Sequence, residues 1–208
     1  MPDDAGKAHA AAAEAAVTAE AADTERGELS TLAADTATDA RAYLEAITTV
    51  ASGTSPEVAL PVVLLAVSQV LASGARLGAI ADVVPTERFE PDSGPDADLD
   101  PLRFALANVL EGLDEYADLV DPVLSADLVP GSLSGDLASV AADLAHGLGH
   151  FEAGRVDEAL WWWQFSYLST WGARGAAALR VVQSILSHLR LDADADLVAD
   201  AEFDALHP

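Results

Sequence analysis

Between Leu160 and Leu189 the chain reads LWWWQFSYLSTWGARGAAALRVVQSILSHL, a run without proline in which large apolar residues recur every three or four positions. That period belongs to an α-helix, since a half-buried strand would alternate with period two. On a 100° wheel one stripe holds Trp161, Phe165, Leu168, Gly172, Ala176 and Leu179, and its neighbour holds Trp163, Tyr167, Trp171, Ala178, Val181 and Ile185. Together they cover well over half of the circumference, the signature of a helix enclosed on most sides by others. Both stripes are therefore expected in the core. The remaining narrow face carries Trp162, Ser166, Ser169, Ala173, Ala177, Arg180 and Ser184. Small residues at that spacing admit a close neighbour, and Trp and Arg are frequent interface anchors. Trp162, Ser166, Ser169 and Arg180 are thus the candidate contact residues for a protein partner or a second copy.

The rest of the chain has the same character. Leu29, Leu32, Tyr43, Leu44, Ile47 and Val50 predict a first helix from about Leu29 to Ala51, stopped by Gly53. Ser55-Pro56-Glu57 predicts the start of a second, to about Leu77, kinked or restarted at Pro61. Asp100-Pro101 predicts a third through Leu119, ended by Asp121-Pro122. A fourth, from about Gly135 to Glu152 with Ser134 as its cap, leads through Gly154 into a fifth, from Val156 to about Leu189. So short a link makes these two an antiparallel hairpin. Period-two alternation, Asn-Gly turns and fixed repeats are missing, so the fold class is all-α, a bundle of about five helices. Residues 1–27 are expected to be a mobile, Ala-rich acidic tail, 28–191 one domain, and 192–208 a second acidic tail. Ala81 to Asp100, with three prolines and seven acids, is expected to be an exposed loop.

Charge narrows the classes of function. The formal net charge is −25, with one lysine and nine arginines, which argues against direct contact with nucleic acid, where Lys and Arg supply affinity for phosphate. The chain has no cysteine, so disulfides, thiolate metal sites and cysteine nucleophiles are excluded and a reducing cytoplasm fits. The N-terminus carries Asp3 and Asp4 where a secretory leader would carry Lys or Arg, so no export is expected. Val58 to Ala75 is free of charge, yet it contains Pro61, Ser68 and Gln69 and lacks a flanking basic cluster. A core helix gives that pattern too, and no membrane association is expected. The acids cluster in residues 1–28, 82–100, 111–127 and 192–204, whereas residues 133–190 set five acids against four arginines and hold every tryptophan.

On the fourth helix Asp143, His146 and His150 share one side at i, i+3 and i+7. Two histidines four residues apart can reach one metal ion, but Asp143 lies roughly 10 Å from His150 along the axis, so another element would have to close the site. The alternative is a solvated face on which Asp143 pairs with His146. No cofactor is expected. The sequence carries no nucleophile elbow, no P-loop, no dinucleotide fingerprint after a strand and no Glu-x-x-His pair, so catalytic residues are not assigned.

Leu160, Trp161, Trp163, Phe165, Trp171 and Gly172 form a Leu-Trp-x-Trp-x-Phe element followed by Trp-Gly, preceded by Asp136-Leu137, Asp143-Leu144 and Gly154-Arg155. This set resembles an uncharacterised bacterial domain-of-unknown-function family, the one numbered five thousand and sixty-three. The segment LRFALANVLEGLDEYADLVDP is similar to the helix that precedes the motif there, so the resemblance covers about residues 29–192. No activity, cofactor or catalytic residue comes with it. The expected function is that of a cytoplasmic, non-enzymatic protein-interaction or oligomerisation domain, with a metal- or small-ligand-binding protein or enzyme, its site at His146, His150 and Asp143 between the fourth and fifth helices, as the alternative. Because the acids lie at the periphery, salt should stabilise the fold by screening their repulsion. The melting temperature is expected to rise between low salt and about 0.5 M NaCl, and a flat or falling series by calorimetry would contradict this.

Overall fold

A computed structural model of the chain describes residues 3–85, 98–120 and 123–192, with side chains from Thr18 to Leu191. Six α-helices appear among the described residues: α1 Asp3–Ala51, α2 Ala59–Ala79, α3 Asp100–Val109, α4 Leu133–Glu152, α5 Val156–Ser166 and α6 Gly172–Ser187. α5 and α6 are one rod interrupted by a π turn over Tyr167–Trp171, so the expected bundle of about five helices forms. The region between α3 and α4 departs from it, folding into a hairpin of β1 Glu115–Leu119 and β2 Leu128–Ser132.

The first helix is much longer than its apolar pattern. α1 has no break near residue 27, and the side chains from Thr18 to Glu28 are exposed. Its buried edge, Ala33, Thr36, Ala37, Ala40, Tyr43, Ile47 and Val50, holds the three- and four-residue spacing and packs on α2 and α4. Alanine on that edge lets α2 come close, where Gln69 and Arg76 donate to the Asp39 carboxylate at 3.0 and 2.9 Å. Tyr43 crosses to α4 and donates to the Leu137 carbonyl at 3.0 Å. Gly53, at φ +66°, ends the element as expected.

The second helix restarts close to Pro61, as one of the two expected outcomes. The segment opens with a 3-10 turn, Pro56–Val58, so Pro61 falls in the first turn of α2, where no earlier helical carbonyl awaits its missing N–H. The run Pro56–Ala79 is long and apolar enough to cross a membrane by length and composition, its most apolar 18 residues reaching a mean hydropathy of 2.0. Its Val63, Val67, Val70, Ser73, Gly74 and Leu77 edge is buried, and the helix packs against α1, α5 and α6.

The third helix stops at Val109 instead of Leu119, because Gly112 turns the chain at φ +80° and Asp114 binds the start of α4. The Asp114 carboxylate accepts the Ser134 backbone N–H at 2.6 Å and both the Ser132 and Ser134 hydroxyls. Ser132, not Ser134, caps α4, accepting the Gly135 N–H at 3.1 Å. Most of the proline-rich Ala81 to Asp100 segment and the C-terminal acidic stretch lie outside the described residues.

The expected α4–α5 hairpin is present, with Gly154 at φ +76° in its turn. Trp163 is fully buried between α4 and the rest of the core, its indole N–H on the Leu144 carbonyl at 3.1 Å. Its ring lies directly against Gly147, where a Cβ would collide with the indole. Gly149, one half-turn away, faces open space. Gly147→Ala should therefore destabilise the protein by about 1–3 kcal/mol through overpacking. Gly149→Ala should stabilise it by about 0.5–1 kcal/mol. Urea unfolding of the two variants checks both signs.

Candidate functional site

The π turn organises the functional face of the hairpin. One extra residue per turn lets the Gly172 N–H bond the Tyr167 carbonyl instead of a residue four back. A Cβ on Gly172 would strike that carbonyl, so the glycine after Trp171 is a steric requirement of the turn. The inserted residue rotates the following helix relative to a 100° wheel, and the two predicted stripes fare differently. Trp163, Trp171 and Ala178 are buried as expected, with Trp171 donating to the Trp163 carbonyl at 3.3 Å. The Trp161, Phe165, Leu168 stripe is not core: Phe165 is 51% and Leu168 64% exposed. The Trp161 and Phe165 rings stack 5.5 Å apart and within 9° of parallel, so the two form one continuous aromatic surface.

The expected contact face is dispersed. Ser166 is buried and donates to the Trp162 carbonyl at 2.6 Å. Trp162 is half-buried against α4, its N–H on the Asp143 carbonyl at 3.0 Å and its ring 4.0 Å from that of His146. Ser169 is exposed, while Arg180 reaches the Asp118 carboxylate of β1 at 3.0 Å. The small residues at 166 and 177 thus point inward and bring the chain's own helices together.

The histidine pair is built into the same contact. His150 is fully buried and its Nδ1 accepts the Arg155 Nε–H at 3.2 Å, placing a guanidinium where a metal ion would otherwise approach that nitrogen. The His146 ring lies between those of His150, 5.1 Å away, and Trp162. Asp143 faces the π turn and accepts the Thr170 hydroxyl at 2.8 Å. Among the described residues no three His, Asp or Glu side chains gather where they could hold a metal ion.

Two features had no signal in the pattern of apolar residues. Gln164 is buried and ties the chain after α2 to α5: its amide N–H bonds the Leu77 carbonyl at 2.9 Å and its oxygen accepts the Val83 N–H at 2.9 Å. Asp136 joins three elements, accepting the Tyr116 phenol of β1 at 2.5 Å and Arg174 of α6 at 3.1 Å. Burial pushes the Asp136 carboxyl up despite both donors, and burial with the adjacent carboxylate pushes the Tyr116 phenol up. Desolvation likewise raises Asp143, against its bond from Thr170.

Fold and surface together define a small helical domain built on an aromatic antiparallel hairpin. The family model described as Domain of unknown function (DUF5063) matches residues 28–188, and the chain belongs to that family. The structure is similar to the crystal structure of protein BF1032 from Bacteroides fragilis, with a TM-score of 0.59 at 15% identity over 73% of this chain and 89% of that one. At that identity the likeness concerns the fold. Comparison with curated proteins finds no match.

A carboxyl whose folded pKa is raised holds its proton to higher pH in the folded state than in the unfolded one. Stability is then lost as pH rises from the ordinary carboxylate value through the raised one, and is regained on acidification. The melting temperature should increase as pH falls from neutral into the mildly acid range. Asp143→Asn, which keeps an acceptor for Thr170, should make that increase smaller, and equal slopes for the two proteins would refute the assignment.

Proposed function

We propose that this protein works through protein contacts, as a cytoplasmic interaction domain that presents Trp161, Phe165 and Leu168 to a partner. The observation that carries the reading is the stacked Trp161–Phe165 pair beside an exposed Leu168. Large aromatic side chains held in one geometry lose little entropy on binding, and they dominate interface energetics. The neighbouring backbone is fixed by Gln164 and Ser166 beneath them, so the surface is preorganised. Such a surface, within the nearly neutral segment 133–190 of a chain with net charge −25, is where a partner meets the least repulsion.

Phe165→Asp and Leu168→Asp change exposed positions and should leave the melting temperature within about 1–2 °C of the parent protein. Sedimentation velocity across about 1–100 μM and quantitative capture from native lysate should show self-association or a retained partner that both variants lose. Identical profiles for parent and variants would sink the aromatic surface as the contact.

A further inference from the structure

The β-hairpin offers a second surface, independent of the aromatic one. Val120 N–H bonds the Asp127 carbonyl and Leu133 N–H bonds the Asp114 carbonyl. With the pairs Glu115 to Ser132, Ala117 to Pro130 and Leu119 to Leu128, the alternation of an antiparallel ladder puts the bonds at Tyr116 and Asp118. The N–H and C=O groups of Glu115, Ala117 and Leu119 then point away from β2. Those three residues are exposed, and β1 has no second strand neighbour among the described residues. The outer edge of β2 is different, since Pro130 lies there and lacks an N–H. Of the two described strands, β1 is therefore the better template for strand addition.

The side chains say what fits. Leu119 and Leu128 are cross-strand neighbours at 41% and 68% exposure, beside exposed Ala117 and Pro130. Residues 111–127 carry six acids and no base. A second copy brings an equally acidic hairpin, residues 193–208 contain no Lys or Arg, and residues 86–97 set one Arg against four acids, so none of these segments carries the alternating bases that would complement β1. We propose that β1 is a docking edge for an extended segment of a partner protein in which basic and aliphatic residues alternate. Backbone bonds to Glu115, Ala117 and Leu119 would give the affinity, the exposed leucines a dry contact, and the acids the choice of partner.

The probe is a blocked Lys-Val-Lys-Val-Lys-Val peptide titrated into the full chain, followed by backbone amide NMR. Saturable binding with shift changes centred on residues 115–119 is expected, and salt should weaken it. Ala117→Pro removes an outward N–H while leaving net charge and the β1–β2 ladder bonds in place, and should weaken binding by about tenfold or more. Should that variant fail to fold, the parent protein distinguishes two peptides N-methylated at alternate residues, since one of them blocks the docking edge and the other does not. Leu128→Asp makes the protein more acidic yet should also lose affinity. No binding at millimolar peptide, equal binding of both N-methylated peptides, or tighter binding by the Leu128→Asp variant would overturn the proposal.

Discussion

The burial of Trp163 over Gly147 is the contact on which the rest of the hairpin depends. An indole can occupy that place only where the facing helix has no side chain, so Gly147 sets how closely α4 and α5 approach. The indole N–H, out of water, must have an acceptor, and the Leu144 carbonyl supplies it. From there the consequences run along the chain. The Trp163 carbonyl receives the Trp171 indole, which lies eight residues on. Trp171 and Tyr167, edge to face with centroids 4.8 Å apart, press against Gly74 of α2. Both glycines would lose their partners to a single methyl group, so the two buried tryptophans hold α4 and α2 to either side of one helical rod.

Polar groups inside this core are there to secure backbone that the helices leave unpaired. Gln164 satisfies the end of α2 and the chain beyond it, and Asp114 does the same for the start of α4. Asp136 differs, because it is a carboxyl group in a place that penalises charge. Tyr116 and Arg174 offset the penalty, and they also pin β1 and α6 to α4. The β-hairpin is held to the bundle from below by Asp136 and from the side by Arg180, which explains how a two-stranded sheet, marginal alone, keeps its place.

Much of this was legible in the sequence where packing follows period. The helices, the α4–α5 turn at Gly154 and the burial of Trp163 and Trp171 all follow from spacing and glycine placement. The extent of α1 was not, because an alanine-rich stretch has the propensity of a helix without the apolar marks by which one is delimited. β1 and β2 were hidden for another reason. Leu106, Leu110 and Leu113 continue a helical spacing past Val109, and nothing local shows that Asp114 will bond α4 instead. A regular wheel misplaces Leu168 because the π turn over Tyr167–Trp171 breaks the 100° step, and it misplaces Phe165, which precedes that turn, because Ser166 takes the inward position beside it. Ser166 satisfies its hydroxyl on its own helix, at the Trp162 carbonyl, so it packs inward at little cost while the larger apolar residues stay out.

That inversion bears on function. A helix that buries Ser166 and exposes Phe165 one residue away runs against the usual partition of apolar and polar side chains, and local rules are broken most often where a surface is used. Charge separates the exposed apolar surface into two kinds. Phe165 and Leu168 belong to a segment with four arginines against five acids, whereas Leu119 and Leu128 flank or lie in one with six acids and no base. Repulsion between like acidic hairpins would oppose pairing of the exposed β1 edge with another copy, which is the hazard of any open strand. If β1 takes an added strand as proposed, the acids of its own segment would select which chains can do so, and the selection would have an electrostatic origin.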